Sequence, residues 1–228
     1  MATQNSTKEL INSTVHSLVK PRLSIDLQIL ADLGQQRSFR KDVVIINEGD
    51  SGDALYILIH GRVRVFSADT SGKEITLGTI LAGDFFGEMS LDGGSRSATV
   101  EALEPCLCAV VPNAHVLAYI RENSEFAISL LQTTITRARA ATHAARDMAL
   151  LNVCERLAQT LNHLAKAPPG DNTPKTIAPI ITHGELAAHV GASREMVSKL
   201  MKDLERGGYI LVNTSRQITL LKALPARW

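Results

Sequence analysis

The sequence predicts an α+β chain: an N-terminal antiparallel β-roll, then a long helix, then a C-terminal group of short helices closed by strands. Three observations predict it. Short β-branched runs follow one another from about Gln36 to Val111, a stretch from Asn123 to about Ala165 holds neither Gly nor Pro, and two helical segments split by "GAS" precede two strand-like runs near the C-terminus.

The bulk numbers bound the answer. A chain of 228 residues can bury two separate cores, and 45% hydrophobic with 21% charged residues is an ordinary globular composition. No apolar run reaches the roughly 18 residues of a membrane span, and the polar start "MATQNSTKEL" lacks the basic and apolar regions of a secretion signal. The expectation is a cytoplasmic protein with no membrane partner. Cys106, Cys108 and Cys154 form no disulfide framework and fit a reducing compartment. Cys106 and Cys108 would share one face of a strand, but no third ligand lies nearby, so they read as small buried residues. With the histidines scattered as well, no metal site or prosthetic group is expected.

After the polar N-terminal arm, "IDLQILADL" spaces its apolar residues as a short helix does. The runs "DVVIINEGD", "ALYILIHG", "RVRVFSAD", "KEITLGTI", "SATVEAL" and "CLCAVV" then read as strands. Their connections, "GDSGD", "HG", "DTSGK" and "LAGD", are short enough for an antiparallel roll or barrel with a small interior. The glycines of these turns, Gly52 among them, are expected at positive φ.

In the helical stretch, Leu131, Thr134, Ala138, Ala141, Ala145 and Met148 recur at steps of three and four. Such a stripe suits packing within one domain or a seam between two copies of the chain, and the residues leave both open. "KAPPGDNTPK" reads as a surface loop. Next come "HGELAAHV" and "REMVSKLMKDLERG", with Gly191 placed for a left-handed helix end and Ser193 for the next N-cap. This is the spacing of a helix-turn-helix with a small β wing.

The second helix of such a motif reads the major groove with its N-terminal side chains. Arg194 and Glu195 lie in its first turn, and Ser198 and Lys199 one turn later. Arg can bridge guanine O6 and N7, and Glu can accept from cytosine N4. Residues 181–228 hold seven Lys or Arg against four Asp or Glu, a modest basic bias.

Over its whole length the chain resembles the cyclic-AMP receptor protein / FNR family of bacterial transcription regulators, and "ASREMVSKLMKDLE" is similar to the family's recognition helix. The resemblance implies that Arg194, Glu195 and Lys199 contact bases and that Thr182 and Ser193 contact the DNA backbone. Lys199 stands where the receptor-protein branch commonly has Arg, so a compact ammonium replaces a planar fork. It further implies a homodimer on double-stranded DNA, a palindromic site with TGTGA-like halves, and RNA polymerase as a partner. The corresponding divisions are 1–35 for the arm and short helix, 36–122 for a cyclic-nucleotide-binding β-roll, 123–152 for the dimerisation helix and 153–228 for the winged helix-turn-helix.

"GDFFGEMSL" followed by "RSATV" is similar to the family's phosphate-binding cassette. A cyclic phosphodiester buried in a roll needs a cation or several N–H donors for its phosphate and an acceptor for its ribose hydroxyl. Arg96 suits the first and Glu88 the second, with Gly87, Met89 and Ser97 beside them, although Glu88 and Arg96 could equally form a plain salt bridge. By resemblance, Val65 and Leu77 line the pocket and Arg137 approaches the nucleotide from the long helix. Ala141 and Thr142 occupy the positions where the receptor-protein branch has two hydroxyl residues on adenine.

Cyclic AMP is therefore the expected effector, with cyclic di-GMP as the alternative. The clustered N-terminal cysteines of the FNR branch are absent. An enzyme acting on cyclic nucleotides, with Glu88 as base, finds no nucleophile triad, metal cluster or phosphate loop in the sequence.

Overall fold

The computed structural model describes residues 23–72, 74–166, 173–177 and 180–225. The rest of the N-terminal arm, and residues 167–172 of the proline-rich loop, lie outside the described residues. The chain divides into two compact units, 1–64 with 79–127, and 65–78 with 128–228.

In the first unit, helix α1 (Ile25–Asp32) starts at Ser24, whose hydroxyl accepts from the Leu27 N–H at 3.3 Å, and buries Leu27, Leu30 and Ala31. Eight strands follow along the chain, β1 (Gln35–Phe39), β2 (Val44–Ile46), β3 (Ala54–His60), β4 (Arg62–Ala68), β5 (Glu74–Leu81), β6 (Phe85–Phe86), β7 (Thr99–Ala102) and β8 (Cys106–Pro112), with most of β4 and β5 assigned to the second unit. They form two four-stranded sheets, ordered β1-β8-β3-β6 and β2-β7-β4-β5, as expected of an antiparallel roll. In the first sheet Tyr56 pairs with both Val110 and Phe86, which places β3 between β8 and the short β6. The apolar character of β3 on both faces follows, with Leu55, Ile57 and Leu58 fully buried.

β1 and β6 depart from the sequence expectation. "QQRSF" carries no apolar alternation and is almost wholly exposed, yet it pairs residue by residue with β8 from Gln35–Val110 to Phe39–Cys106. Its strand state comes from backbone pairing to a buried neighbour rather than from its own side chains. Gly52 is a second departure: φ is positive at Gly49, Gly61, Gly72 and Gly83 but not at Gly52. Its role is spatial and concerns Arg96.

β8 runs directly into α2 (Asn113–Glu122), and Asn123, at φ −128° and ψ 84°, separates it from the 27-residue α3 (Ser124–Leu150). The Tyr119 ring meets Phe126 edge-on at 5.4 Å, and its hydroxyl donates to Asp26 Oδ1 at 2.8 Å, fixing α2 on α1.

In the second unit α3 is largely exposed, with Ile128 at 48%, Leu131 at 59% and Ile135 at 40%. These three stand at helical spacing on one face. α3 ends at Leu150, and a new helix, α4 (Val153–Leu164), begins with a complete capping box: Asn152 Oδ1 accepts from the Glu155 N–H at 3.0 Å, and Glu155 Oε2 from the Asn152 N–H at 2.9 Å. Arg156 braces this junction, donating to the Leu151 carbonyl at 2.6 Å and to that of Val190 at 2.8 Å.

α5 (His183–Val190) and α6 (Arg194–Arg206) are joined by Gly191, left-handed at φ 61°. A three-stranded sheet in the order β10-β11-β9 completes the wing, from β9 (Lys175–Thr176), β10 (Ile210–Val212) and β11 (Ile218–Leu220). The two residues of β9 are too few to carry a strand signal in the sequence. Leu157, Leu161, Ile177, Leu186, Val190, Val197 and Leu204 are the centre of this core. Among the described residues no helix is long and apolar enough to cross a membrane.

Candidate functional site

The cassette is built where β6 leaves β3. Gly87, left-handed at φ 84° and ψ 10°, turns the chain into a single 3-10 turn over Glu88–Ser90. Arg96 returns to it from the loop before β7, anchored by its own N–H on the Asp50 carbonyl at 2.8 Å and by its carbonyl accepting from Gly49 N–H at 2.9 Å. Its side chain is 7% exposed. Nη1 donates to the Gly87 carbonyl at 2.8 Å and to Ser90 Oγ at 2.9 Å, while Nη2 donates to the Ala54 carbonyl at 2.8 Å. The guanidinium carbon stands 5.7 Å from the centre of the Tyr56 ring, and that ring stacks on Phe86 at 5.1 Å.

Two glycines give this arginine its room. A Cβ on Gly52 would overlap Nε and Cζ of Arg96, and a Cβ on Gly87 would stand 2.6 Å from Nη1. These three acceptors are uncharged, and Arg96 forms no ion pair among the described residues. The salt bridge to Glu88 that the sequence left open is not the arrangement found. A cation this buried without a counter-charge is costly, and an anion meeting it would offset that cost.

Ser97 is exposed and its hydroxyl donates to the Met89 sulfur at 3.3 Å. Glu88 is half-buried on the 3-10 turn. Val65, Leu77, Arg137, Ala141 and Thr142 belong to the second unit. Leu77 is 52% exposed, whereas its neighbour Thr76 is buried. Ala141 and Thr142 are exposed on α3, and the Thr142 hydroxyl donates to the Ala138 carbonyl of its own helix at 3.0 Å. Gly52, Ala54 and Ser90 are the participants that sequence reasoning misses; only Gly52, in "GDSGD", stands out there, and it reads as a turn residue.

Around the helix-turn-helix, Thr182 caps α5 through a capping box with Glu185, and Ser193 caps α6 by accepting from the Met196 N–H at 3.1 Å. α6 buries Val197, Leu200, Met201 and Leu204 and exposes Arg194, Glu195 and Met196. Ser198 is less exposed than these three, and its hydroxyl is hydrogen-bonded to His183 Nδ1 at 3.0 Å. Among the described residues no group of three or more His, Cys, Asp or Glu could hold a metal ion.

Residues 36–123 match the cyclic nucleotide-binding domain family, and residues 155–224 match the Crp-like helix-turn-helix domain family. The chain is 33% identical over 197 residues to the cAMP-activated global transcriptional regulator Vfr of Pseudomonas aeruginosa, spanning 84% of this chain and 92% of that protein. To the cAMP-activated global transcriptional regulator CRP of Pasteurella multocida it is 36% identical over 163 residues, 71% of this chain and 78% of that one. A solved CRP/FNR-family transcriptional regulator from Thermus thermophilus shares the fold at a TM-score of 0.64 and 29% identity, covering 82% of this chain and 94% of its own. The c-di-GMP responsive regulator CLP of Xanthomonas campestris does so at 0.72 and 23% identity, covering 86% and 97%.

Proposed function

Because the chain belongs to the CRP family of cyclic-nucleotide-binding, DNA-binding transcription regulators, we propose that cyclic AMP is its effector and that the nucleotide promotes binding of a homodimer to a palindromic, TGTGA-like DNA site. The observation that carries the effector reading is Arg96: a buried guanidinium, spaced by Gly52 and Gly87 and paired with no carboxylate among the described residues. A cyclic phosphate supplies the missing charge. Glu88 accepts from the ribose hydroxyl, and Ser97 adds a hydroxyl and an N–H. Both named relatives are cAMP-activated regulators.

The exposed Ile128, Leu131 and Ile135 on α3 favour a seam between two copies. Two copies so joined present two α6 helices to successive major grooves, roughly 34 Å apart. Arg194, Glu195 and Lys199 read bases, and Thr182 and Ser193 hold the backbone. RNA polymerase is the partner of the bound dimer, in the cytoplasm. The nucleotide acts by favouring one arrangement of the dimer, so its effect on DNA affinity is a coupling free energy.

Cyclic di-GMP is the second reading, favoured by Ala141, which brings no hydroxyl to a position where the receptor-protein branch carries one. Calorimetry with the two nucleotides decides: binding of cyclic AMP, abolished in Arg96→Leu with the fold retained, supports the first reading, and silence for cyclic AMP at millimolar concentration rejects it. Recovery of the bound nucleotide intact separates a regulator from a nucleotide-processing enzyme. For DNA, Arg194→Ala is expected to cost about 1 to 3 kcal/mol on the specific site and little on random sequence; equal losses on both would remove the base-reading role.

A further inference from the structure

Asn113 grips the same two backbone segments that Arg96 grips. Arg96 bonds to Ser90 Oγ and to the Ala54 carbonyl. The Asn113 side chain donates from Nδ2 to the Ser90 carbonyl at 3.0 Å, and its backbone N–H donates to the carbonyl of Asp53, the residue before Ala54, at 2.7 Å. Ser90, 1% exposed, is thus held by its hydroxyl from one side and by its carbonyl from the other. Asn113 is also the first residue of α2, which leads through Asn123 into α3.

The amide makes this link at a cost. Asn113 Oδ1 is buried without a hydrogen-bond partner among the described residues. Turning the amide over would set that oxygen against the Ser90 carbonyl, so the orientation is fixed by the one bond it makes. An apolar residue of similar size would avoid the orphaned acceptor. The bond to Ser90 is what an amide here provides.

We propose that Asn113 is the positioning residue that couples the cassette to the helices: displacement of the Arg96–Ser90 pair on nucleotide binding is passed through the Ser90 carbonyl to the first turn of α2 and on to α3. The inference rests on the reading of the cassette as a cyclic-nucleotide site. It predicts that affinity for the nucleotide and its effect on DNA binding are separable at two adjacent bonds.

Asn113→Ala removes the carboxamide bond and keeps the backbone bond to Asp53. Asn113→Asp keeps the shape, removes the donor and sets a negative charge against the Ser90 carbonyl. The full-length variants are titrated with cyclic AMP by calorimetry, and with a labelled palindromic site by anisotropy at zero and saturating cyclic AMP. Both variants are expected to bind cyclic AMP within about threefold of the unmutated protein, while the enhancement of DNA affinity falls to less than about a fifth of its original size. Ser90→Ala, which removes one of the two acceptors of Arg96 Nη1 but leaves the Ser90 carbonyl to Asn113, is expected to lower cyclic AMP affinity about tenfold.

Undiminished enhancement in Asn113→Ala or Asn113→Asp overturns the inference and leaves the cassette reading intact. Parallel loss of nucleotide affinity and thermal stability in both variants also overturns it, because that is the signature of simple structural support. An unmutated protein that shows no response to cyclic AMP removes the reading and, with it, the inference.

Discussion

Gly52 and Arg96 compete for one space: a Cβ on residue 52 would overlap the Nε and Cζ of the guanidinium. Arg96 is flexible enough to swing away, but only by giving up its bonds to Gly87, Ser90 and Ala54. Gly52→Ala is therefore expected to leave the roll folded and to weaken cyclic AMP binding by at least about tenfold, roughly 1.4 kcal/mol. Calorimetry beside a thermal melt checks this, and equal affinity in the variant would show that the cradle is not needed.

Burial pushes both β8 thiols up, Cys106 above its ordinary value and Cys108 to about 12 from an ordinary 9.0. An acid whose folded pKa is raised keeps its proton when the unfolded chain loses it, so stability is lost as pH climbs above about 9. The slope from one such thiol approaches about 1.4 kcal/mol per pH unit until the folded pKa is reached. Denaturant melts at about pH 8, 9.5 and 10.5 should show the fall, and Cys108→Ala should flatten it; an unchanged slope in that variant counts against the assignment.

Ser198 differs from its neighbours on α6 because its hydroxyl is bonded to His183 Nδ1 across the helix pair. Ser198→Ala is expected to cost about 1 kcal/mol of stability and to leave base preference nearly unchanged. Lys199→Ala should instead relax the preference at one base pair of each half-site. Selection from randomised half-sites compares the two, and a changed preference in Ser198→Ala would restore that hydroxyl as a reader.

Met148 of α3 fits against the turn of the helix pair: a Cβ on Gly191 would stand 2.9 Å from Met148 Cε, at a residue whose φ is 61°. Gly191→Ala should destabilise the protein by about 1 to 2 kcal/mol, part from backbone strain and part from contact. Met148→Ala in the same chain should recover only the contact part. A double-mutant cycle by denaturant melts measures the split, and simple additivity would mean that the two residues do not press on one another.

What the sequence disclosed follows from where the information resides. Strands with β-branched runs, such as β3 and β8, carry their own signal, and so do the Gly191 and Ser193 punctuation marks of the helix pair. β1 is illegible because its pairing with β8 uses only backbone groups, which every sequence possesses. Gly87 and Arg96 can be read from their chemistry as members of one ligand-contacting stretch, though not as partners of each other, which the structure makes them at 2.8 Å. Gly52, Ser90 and Asn113 cannot, since each matters through a neighbour at least six residues distant in the chain. The placing of the Gly87, Ser90 and Ala54 acceptors, not residue type, is what gives Arg96 three uncharged partners in place of a salt bridge to Glu88.

The capping box at Asn152 means that the C-terminal segment carries its own start signal. Its first helix does not depend on continuing the turns of the one before, because the four free N–H groups that begin any helix are already partly answered by Asn152 and Glu155. A helix that starts on its own cap can take its own direction, so the break between the helices at Leu151–Asn152 leaves few backbone groups unanswered.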